Sequence, residues 1–266
     1  HTDNVGEGTI FVAINGTKEN GNSYIPVALS KGAKKIVVEV GTNFEENVLD
    51  QIKSFGAELE FVDNTRKALA EISAREYGYP AKKLKIVGIT GTKGKTTTTF
   101  LTEYILRISG YKTALLSTVK NIILGTEYST TLTTCQPDYL NNFLFECVNS
   151  GVEIVVMEVA AQAFSLYRVY GIEFEVGVFT NFSQEHAEFY RSMDEYFASK
   201  AKIIEHLKPG APLIINHDDA KVSSLKSVYN NCFDFSLDVN SSSKLFATII
   251  KSDLSGLEIK VLSPSI

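Results

Sequence analysis

Gly88-Ile89-Thr90-Gly91-Thr92-Lys93-Gly94-Lys95-Thr96 decides how this chain is read. The apolar run Leu84 to Ile89 leads into it, and a helical pattern, Thr97 to Ile108, follows without a break. A strand that ends in closely spaced glycines and passes straight into a helix leaves backbone N–H groups unpaired. These converge on one spot, where the helix dipole also favours an anion. Lys95 adds a mobile positive charge for β- and γ-phosphates, and Thr96 a hydroxyl for a Mg²⁺ ion. The common pattern has a glycine where this chain has Ile89, flanked by Gly88 and Gly91, so the match is to a variant P-loop. A Gly/Thr-rich turn without a ligand is the bland alternative, but Gly-Lys-Thr at a strand-to-helix junction is a more demanding combination than such a turn needs. Gly91, Thr92, Lys93, Gly94, Lys95, Thr96 and Thr97 are the candidate phosphate-binding residues.

Outward from the cradle, the chain alternates strand and helix. Lys112 to Leu116 reads as a strand, Pro137 to Asn149 as a helix with proline in its first turn, and Glu153 to Met157 as an apolar strand. Ala160 to Val169 reads as helical, Phe174 to Phe179 as a strand, Met193 to Leu207 as an amphipathic helix, and Leu213 to Ile215 as a last strand. Such alternation predicts a mostly parallel sheet with helices on both faces. Leu245 to Lys251 and Leu257 to Leu262, joined by Asp253-Leu254-Ser255-Gly256, predict an antiparallel hairpin at the carboxyl end.

The first eighty residues repeat the alternation on a smaller scale. Thr9 to Ile14, Lys35 to Val40 and Ala57 to Val62 read as strands; Tyr24 to Lys31, Asn47 to Phe55 and a stretch from Thr65 to about Tyr77 read as helices. Gly78-Tyr79-Pro80 breaks the pattern, which places a domain boundary there. The fold class expected is therefore α/β: a small N-terminal domain, residues 1–81, then a P-loop domain with a mostly parallel sheet, residues 82–266.

Of 266 residues, 44% are hydrophobic and 21% charged, enough apolar material for two modest domains. The net charge of 26 − 31 = −5 argues against a nucleic-acid partner, since such binding needs clustered Lys and Arg. The three cysteines, Cys135, Cys147 and Cys232, share no metal spacing, which predicts a reducing compartment rather than a disulfide framework. No apolar stretch is long enough for a membrane span, and a cytoplasmic location is expected.

Three polar features sit near strand ends. Glu158 directly follows Ile154 to Met157, where a nucleotide-binding sheet presents a carboxylate to Mg²⁺. His186 lies in the loop Thr180-Asn181-Phe182-Ser183-Gln184-Glu185-His186, with an acid beside it. Structural and ligand roles both remain open for a lone histidine. Lys200 falls on the following helix, and its pattern alone gives it no role beyond a solvated face.

In order, Gly88 through Thr99, Met157-Glu158-Val159, Arg168-Val169-Tyr170-Gly171, Val178-Phe179-Thr180-Asn181, Glu185-His186 and Met193 through Lys200 resemble the Mur ligase family. Within it they resemble most the MurE branch, which adds a diamino acid, meso-diaminopimelate or L-lysine, to UDP-N-acetylmuramoyl-L-alanyl-D-glutamate. Gly8 to Ile14, Gly16-Thr17-Lys18 and Gly21 are similar to that family's UDP-binding domain. The resemblance implies an ATP-dependent, ADP-forming amide ligase of peptidoglycan precursor synthesis working through an acyl phosphate. It implies UDP-N-acetylmuramoyl-dipeptide and an amino acid as partners, and a monomer. It also assigns roles. Lys95 and the cradle hold ATP, Thr96 and Glu158 hold one Mg²⁺, and His186 with a carbamylated Lys200 hold a second. Thr133, Thr134, Gln162, Arg168 and Asn181 are implied near the phosphates or the muramoyl substrate.

Several positions depart from the family pattern. Ala160-Ala161-Gln162 replaces Ser-Ser-His, Glu185 replaces an aspartate, and Glu188 and Tyr190 stand where a carboxylate and a histidine are expected. Thr133-Thr134-Cys135-Gln136-Pro137 is two residues longer than the family's Thr-Thr-Pro, and Asp3-Asn4 shortens its Asp-Ser-Arg. The family's third domain is expected to be missing after Ile266. These departures keep a second reading open: a ligase-like module that binds nucleotide or UDP-muramoyl peptide without turnover, or a relative joining another amino acid.

Overall fold

The computed structural model describes residues 2–16, 19–44, 46–130, 132–185, 189–254 and 256–263. The chain forms two compact units, His1–Ser73 and Ala74–Ile266. In the first, β1 (Ile10–Val12), α1 (Ile25–Ser30), β2 (Lys35–Glu39), α2 (Glu46–Ser54), β3 (Glu58–Val62) and α3 (Thr65–Glu76) follow one another. The strands pair in parallel in the order β1-β2-β3. Ile25, Ala28 and Leu29 lie one helical turn apart, so α1 presents them together to Phe11, Ile36, Val38 and Ile52. The helix expected from Tyr24 begins instead as a 3-10 turn, Gly21–Tyr24, before Pro26 enters the first turn of α1.

The second unit carries β4 (Lys85–Thr90), α4 (Lys95–Ile108), β5 (Thr113–Leu116), β6 (Asn121–Ile123), β7 (Thr126–Tyr128), α5 (Pro137–Asn149), β8 (Ile154–Glu158), α6 (Ala161–Ser165) and β9 (Val176–Phe179). It continues with α7 (Met193–Ala201), β10 (Leu213–Asn216), α8 (Ala220–Ser223), β11 (Cys232–Ser236), β12 (Leu245–Asp253) and β13 (Gly256–Leu262). Ten strands form one sheet in the order β13-β12-β11-β10-β9-β4-β8-β5-β6-β7. The strands from β12 to β5 pair in parallel, and the two margins, β12-β13 and β5-β6-β7, are antiparallel. The carboxyl-terminal hairpin is thus present, with a bulge between Ile249 and Lys251.

The unbroken apolar run of β8 has a direct cause: both of its faces are covered. Val155 and Met157 belong to the larger core with Leu140, Leu144 and Cys147 of α5, whereas Ile154 and Val156 join Ile89, Val178 and Leu106 of α4 on the other side. Each such side chain, fully withdrawn from water, stabilises the fold by about 1.5–3 kcal/mol before chain entropy is counted.

Further elements differ from the sequence reading. The helix expected over Ala160 to Val169 stops at Ser165, because Tyr167 takes a left-handed φ of 57° and the Arg168 N–H turns back to the Ala163 carbonyl at 2.8 Å. The helix expected over Met193 to Leu207 keeps α geometry only to Ala201 and tightens into a 3-10 run, Lys202–His206. The β6–β7 hairpin was not expected. It turns through Leu124 (φ 48°) and Gly125 (φ 87°), and a leucine in a left-handed position hides the usual turn signal. Strand β11 was also unexpected, because its pattern is inverted: Cys232, Asp234 and Ser236 are buried and Phe233 is exposed.

Candidate nucleotide and metal site

In the sheet, β4 lies between β8 and β9, so the loops leaving the carboxyl ends of three neighbouring strands meet. This is the crevice where open α/β sheets place ligands. The register puts Ile89 beside Glu158 and Thr90 beside Phe179. The loop after β4 needs glycine at two points. Gly91 has φ +147°, and a Cβ there would lie 2.0 Å from the Thr180 Oγ1; Gly94 has φ +78° and caps α4. Helix α4 starts at Lys95, so its first-turn N–H groups border the loop. Thr96 and Thr97 are on that turn, Thr97 exposed.

Glu158 is 0% exposed. Its carboxylate accepts from the Thr96 Oγ1 at 3.0 Å, the Thr118 Oγ1 at 3.1 Å and the Thr118 N–H at 3.0 Å. The Lys95 ammonium donates to the carbonyls of Gly91 (3.0 Å) and Thr92 (2.9 Å). Burial lowers its pKa, opposed by the charges of Glu158 and Glu185.

Helix α7 delivers Lys200 from the other side. Ser192 caps the helix by accepting from the Glu195 N–H at 3.1 Å, and Tyr196, Ser199 and Lys200 form its buried stripe. Lys200 is 2% exposed, its Nζ donates to the Gly91 carbonyl at 2.7 Å and lies 4.7 Å from the centre of the Tyr196 ring. Burial, and secondly the positive charge of Lys95, bring its pKa down to about 7, with Glu185 pulling the other way. Two lysines therefore share one carbonyl oxygen. An anion placed between them would relieve their repulsion.

A cavity of about 210 Å³ opens beside this pair, its walls including Lys95, Lys200, Thr133, Gln162, Phe189 and Tyr190. The Thr133 hydroxyl lies 3.2 Å from that of Thr118. Thr134 is buried and spends its hydroxyl on backbone, donating to the Glu158 carbonyl (3.0 Å) and accepting from the Ala160 N–H (3.1 Å). Arg168 donates to the Thr134 carbonyl at 2.9 Å, so it holds the segment that carries Thr133. Asn181 engages Lys93 of the cradle. His186 lies outside the described residues.

The sequence reading passed over Thr118, which meets Glu158 with both its N–H and its hydroxyl. Its signal was positional: it follows β5, the neighbour of β8, at the same carboxyl edge. Tyr190 and Ser199 were also passed over as partners. The Tyr190 hydroxyl lies 3.3 Å from those of Ser165 and Ser199, joining α6 to α7 beside the cavity.

The oxygen-rich pair Thr96 and Glu158 suits a hard cation. Lys200, as a free ammonium, has no lone pair to offer a metal and suits one only after acquiring a carboxylate. Among the described residues, no group of three His, Cys, Asp or Glu could hold a metal ion, and no helix is long and apolar enough to cross a membrane.

The sheet order and the glycine loop define the class: an open α/β domain with a P-loop at the point where the strand order reverses. Residues 89–266 match the Mur ligase middle domain. A UDP-N-acetylmuramoyl-L-alanyl-D-glutamate–2,6-diaminopimelate ligase of Clostridium perfringens (strain 13 / Type A) is 36% identical over 261 residues, 96% of this chain and 51% of the relative. The ligase of the same name from Trichormus variabilis is 39% identical over 252 residues, 94% of this chain and 49% of its own length. A solved structure of such a ligase superposes with a TM-score of 0.79 at 23% identity, over 99% of this chain and 53% of that one. The chain belongs to the Mur ligase family. It spans about half the length of the curated relatives it matches.

Proposed function

We propose that this chain carries the UDP-binding and ATP-binding parts of an ATP-dependent amide ligase of peptidoglycan precursor synthesis. Residues 1–81 form the UDP-muramoyl-binding domain and residues 82–266 the ATPase domain. The acceptor is UDP-N-acetylmuramoyl-L-alanyl-D-glutamate and the amine is a diamino acid; the names of the relatives specify 2,6-diaminopimelate. The observation that supports this most is the meeting of Lys95 and the buried Lys200 at the Gly91 carbonyl, beside a cavity large enough for a carboxylate and a phosphoryl group.

In the proposed reaction an acceptor carboxylate oxygen attacks the γ-phosphorus of ATP and ADP leaves. The amine then attacks the acyl carbon, phosphate leaves, and the amine gives up a proton as the amide forms. The chain's own contribution is charge placement. Lys95 and the cradle amides hold phosphate oxygens, and Lys200 lies where negative charge gathers. Thr96 and Glu158 would hold Mg²⁺, which neutralises phosphate charge when bound. Lys200 has the property that carbamylation needs: a pKa near 7 leaves much of the amine neutral and nucleophilic toward CO₂ at neutral pH. A carbamate there would place an anionic oxygen ligand beside Lys95, with His186 as its expected companion.

The first half-reaction can be tested alone. ATP labelled with ¹⁸O at its β,γ-bridge should scramble that label when the acceptor is present without an amine, because acyl phosphate formation is reversible. Scrambling that requires the acceptor is the expected result. Bound nucleotide with no scrambling at any acceptor concentration would overturn the ligase reading and leave the binding module in its place.

A further inference from the structure

The loop after β9 grips the cradle through several contacts, and Asn181 makes the largest share of them. Asn181 uses both ends of its side-chain amide on Lys93, accepting from the Lys93 N–H at 2.9 Å and donating to the Lys93 carbonyl at 2.9 Å. The Thr180 hydroxyl donates to the same carbonyl at 2.8 Å, and the Asn181 backbone carbonyl accepts from the Thr92 N–H at 2.9 Å. The next turn of the strap is tied as well, since the Ser183 N–H donates to the Thr92 Oγ1 at 3.0 Å.

A trans peptide is planar, with its C=O and the following N–H pointing in opposite directions. Holding the Lys93 carbonyl toward Asn181 and Thr180 therefore turns the Gly94 N–H away from them, toward the open side of the loop. Gly94 can take this orientation because its φ of +78° costs a glycine nothing. Lys93 itself is exposed, so no packing of its side chain would otherwise fix the two peptide planes on either side of it. The geometry points to Asn181 as a positioning residue, one that aims the Gly94 N–H at the β-phosphate of a bound nucleotide rather than touching the nucleotide or the acceptor itself.

The demand at this position is for one donor and one acceptor on an uncharged side chain, which the asparagine amide supplies. Aspartate could accept from the Lys93 N–H but would set an anion against the Lys93 carbonyl, and alanine would do neither. The role rests on the reading of Gly91 to Thr97 as a phosphate cradle, and it extends to the segment beyond: the strap that aims the cradle runs on to Glu185, whose charge acts on both Lys95 and Lys200. Cradle geometry and the charge balance around the two lysines are thereby held by one loop.

The test compares ADP with AMP, which differ by the phosphate that the Gly94 N–H would meet. Wild type, Asn181→Ala and Asn181→Asp are titrated with each nucleotide by calorimetry, and their melting temperatures are recorded. ADP affinity should fall about tenfold or more in both variants, as expected for losing aligned hydrogen bonds to a charged group, while AMP affinity stays within about twofold. Thr180→Val removes one donor to the Lys93 carbonyl and should give a smaller loss with the same ADP-over-AMP bias; it serves if the Asn181 variants do not fold. Equal losses for ADP and AMP, or none for either, would overturn the positioning role while leaving nucleotide binding intact. A folded wild type that binds no ADP would overturn the cradle reading, and this role with it.

Discussion

Replacing Lys200 by methionine should stabilise the protein in mild acid and remove part of its dependence on pH. The Lys200 pKa is about 7 in the fold against 10.5 for the free side chain. Between those values the unfolded chain holds a proton that the folded chain has released, so stability rises with pH across that window. Below pH 7 the full cost of holding a buried charge is present; above the unfolded pKa it is gone. The difference of 10.5 − 7 = 3.5 units corresponds to about 5 kcal/mol over the whole window. From about pH 6 to about pH 9, linkage gives a change of about 2–3 kcal/mol. Urea unfolding of wild type and Lys200→Met in CO₂-free buffer measures it directly. The variant's advantage should be largest at the acid end and shrink by that amount toward pH 9. A difference that stays constant to within about 0.5 kcal/mol across the range would refute the reasoning, because Lys200 would then keep its proton in both states. Bicarbonate at pH 8 extends the experiment: it should stabilise wild type and leave Lys200→Met unmoved if the amine takes up CO₂.

Three further outcomes follow from other contacts. Gly91→Ala should cost about 2–4 kcal/mol in thermal or urea unfolding, since its φ is +147° and its Cβ would meet Thr180 Oγ1 at 2.0 Å; adding Thr180→Ala should recover part of the loss. Glu158→Gln should abolish the Mg²⁺-dependent part of ATP affinity while leaving the Mg²⁺-free affinity within about threefold; an unchanged Mg²⁺ response in calorimetry would remove Glu158 from the metal site. Leu144→Ala, at a position of α5 with 0% exposure, should lower unfolding free energy by about 2–5 kcal/mol, read from the urea midpoint at constant m-value.

The parallel centre of the sheet was legible because burial on both faces makes the middles of β4 and β8, Ile86 to Ile89 and Ile154 to Met157, apolar runs, and the cradle was legible because glycine and lysine spacing there answers to backbone geometry. The same logic failed where local chemistry ran against pattern. Leu124 occupies a left-handed turn position that glycine or asparagine would have marked, and β11 buries Asp234 while exposing Phe233. Tyr167 ends α6 early through a φ of 57° that no residue preference announces. In the site, Glu158 was placed by its strand end, whereas helical pattern alone made Lys200 an ordinary surface lysine and only the family resemblance singled it out. Its burial comes from packing between α7 and the cradle, a tertiary fact that helical periodicity does not carry. Thr118 was missed for a related reason: its tie to Glu158 depends on β5 and β8 being neighbours, which strand order decides and local sequence does not.

The thiol of Cys147 has a use of its own. It is fully buried in the larger core on α5, and burial pushes its pKa up to about 12. At neutral pH the folded chain presents almost no thiolate there, and no path by which an alkylating reagent could reach it. Modification of Cys147 therefore waits on the opening of that core. The rate at which it is captured by iodoacetamide becomes a clock for how often the P-loop unit unfolds, and whether a bound ligand slows that opening can be timed without labelling any residue of the site.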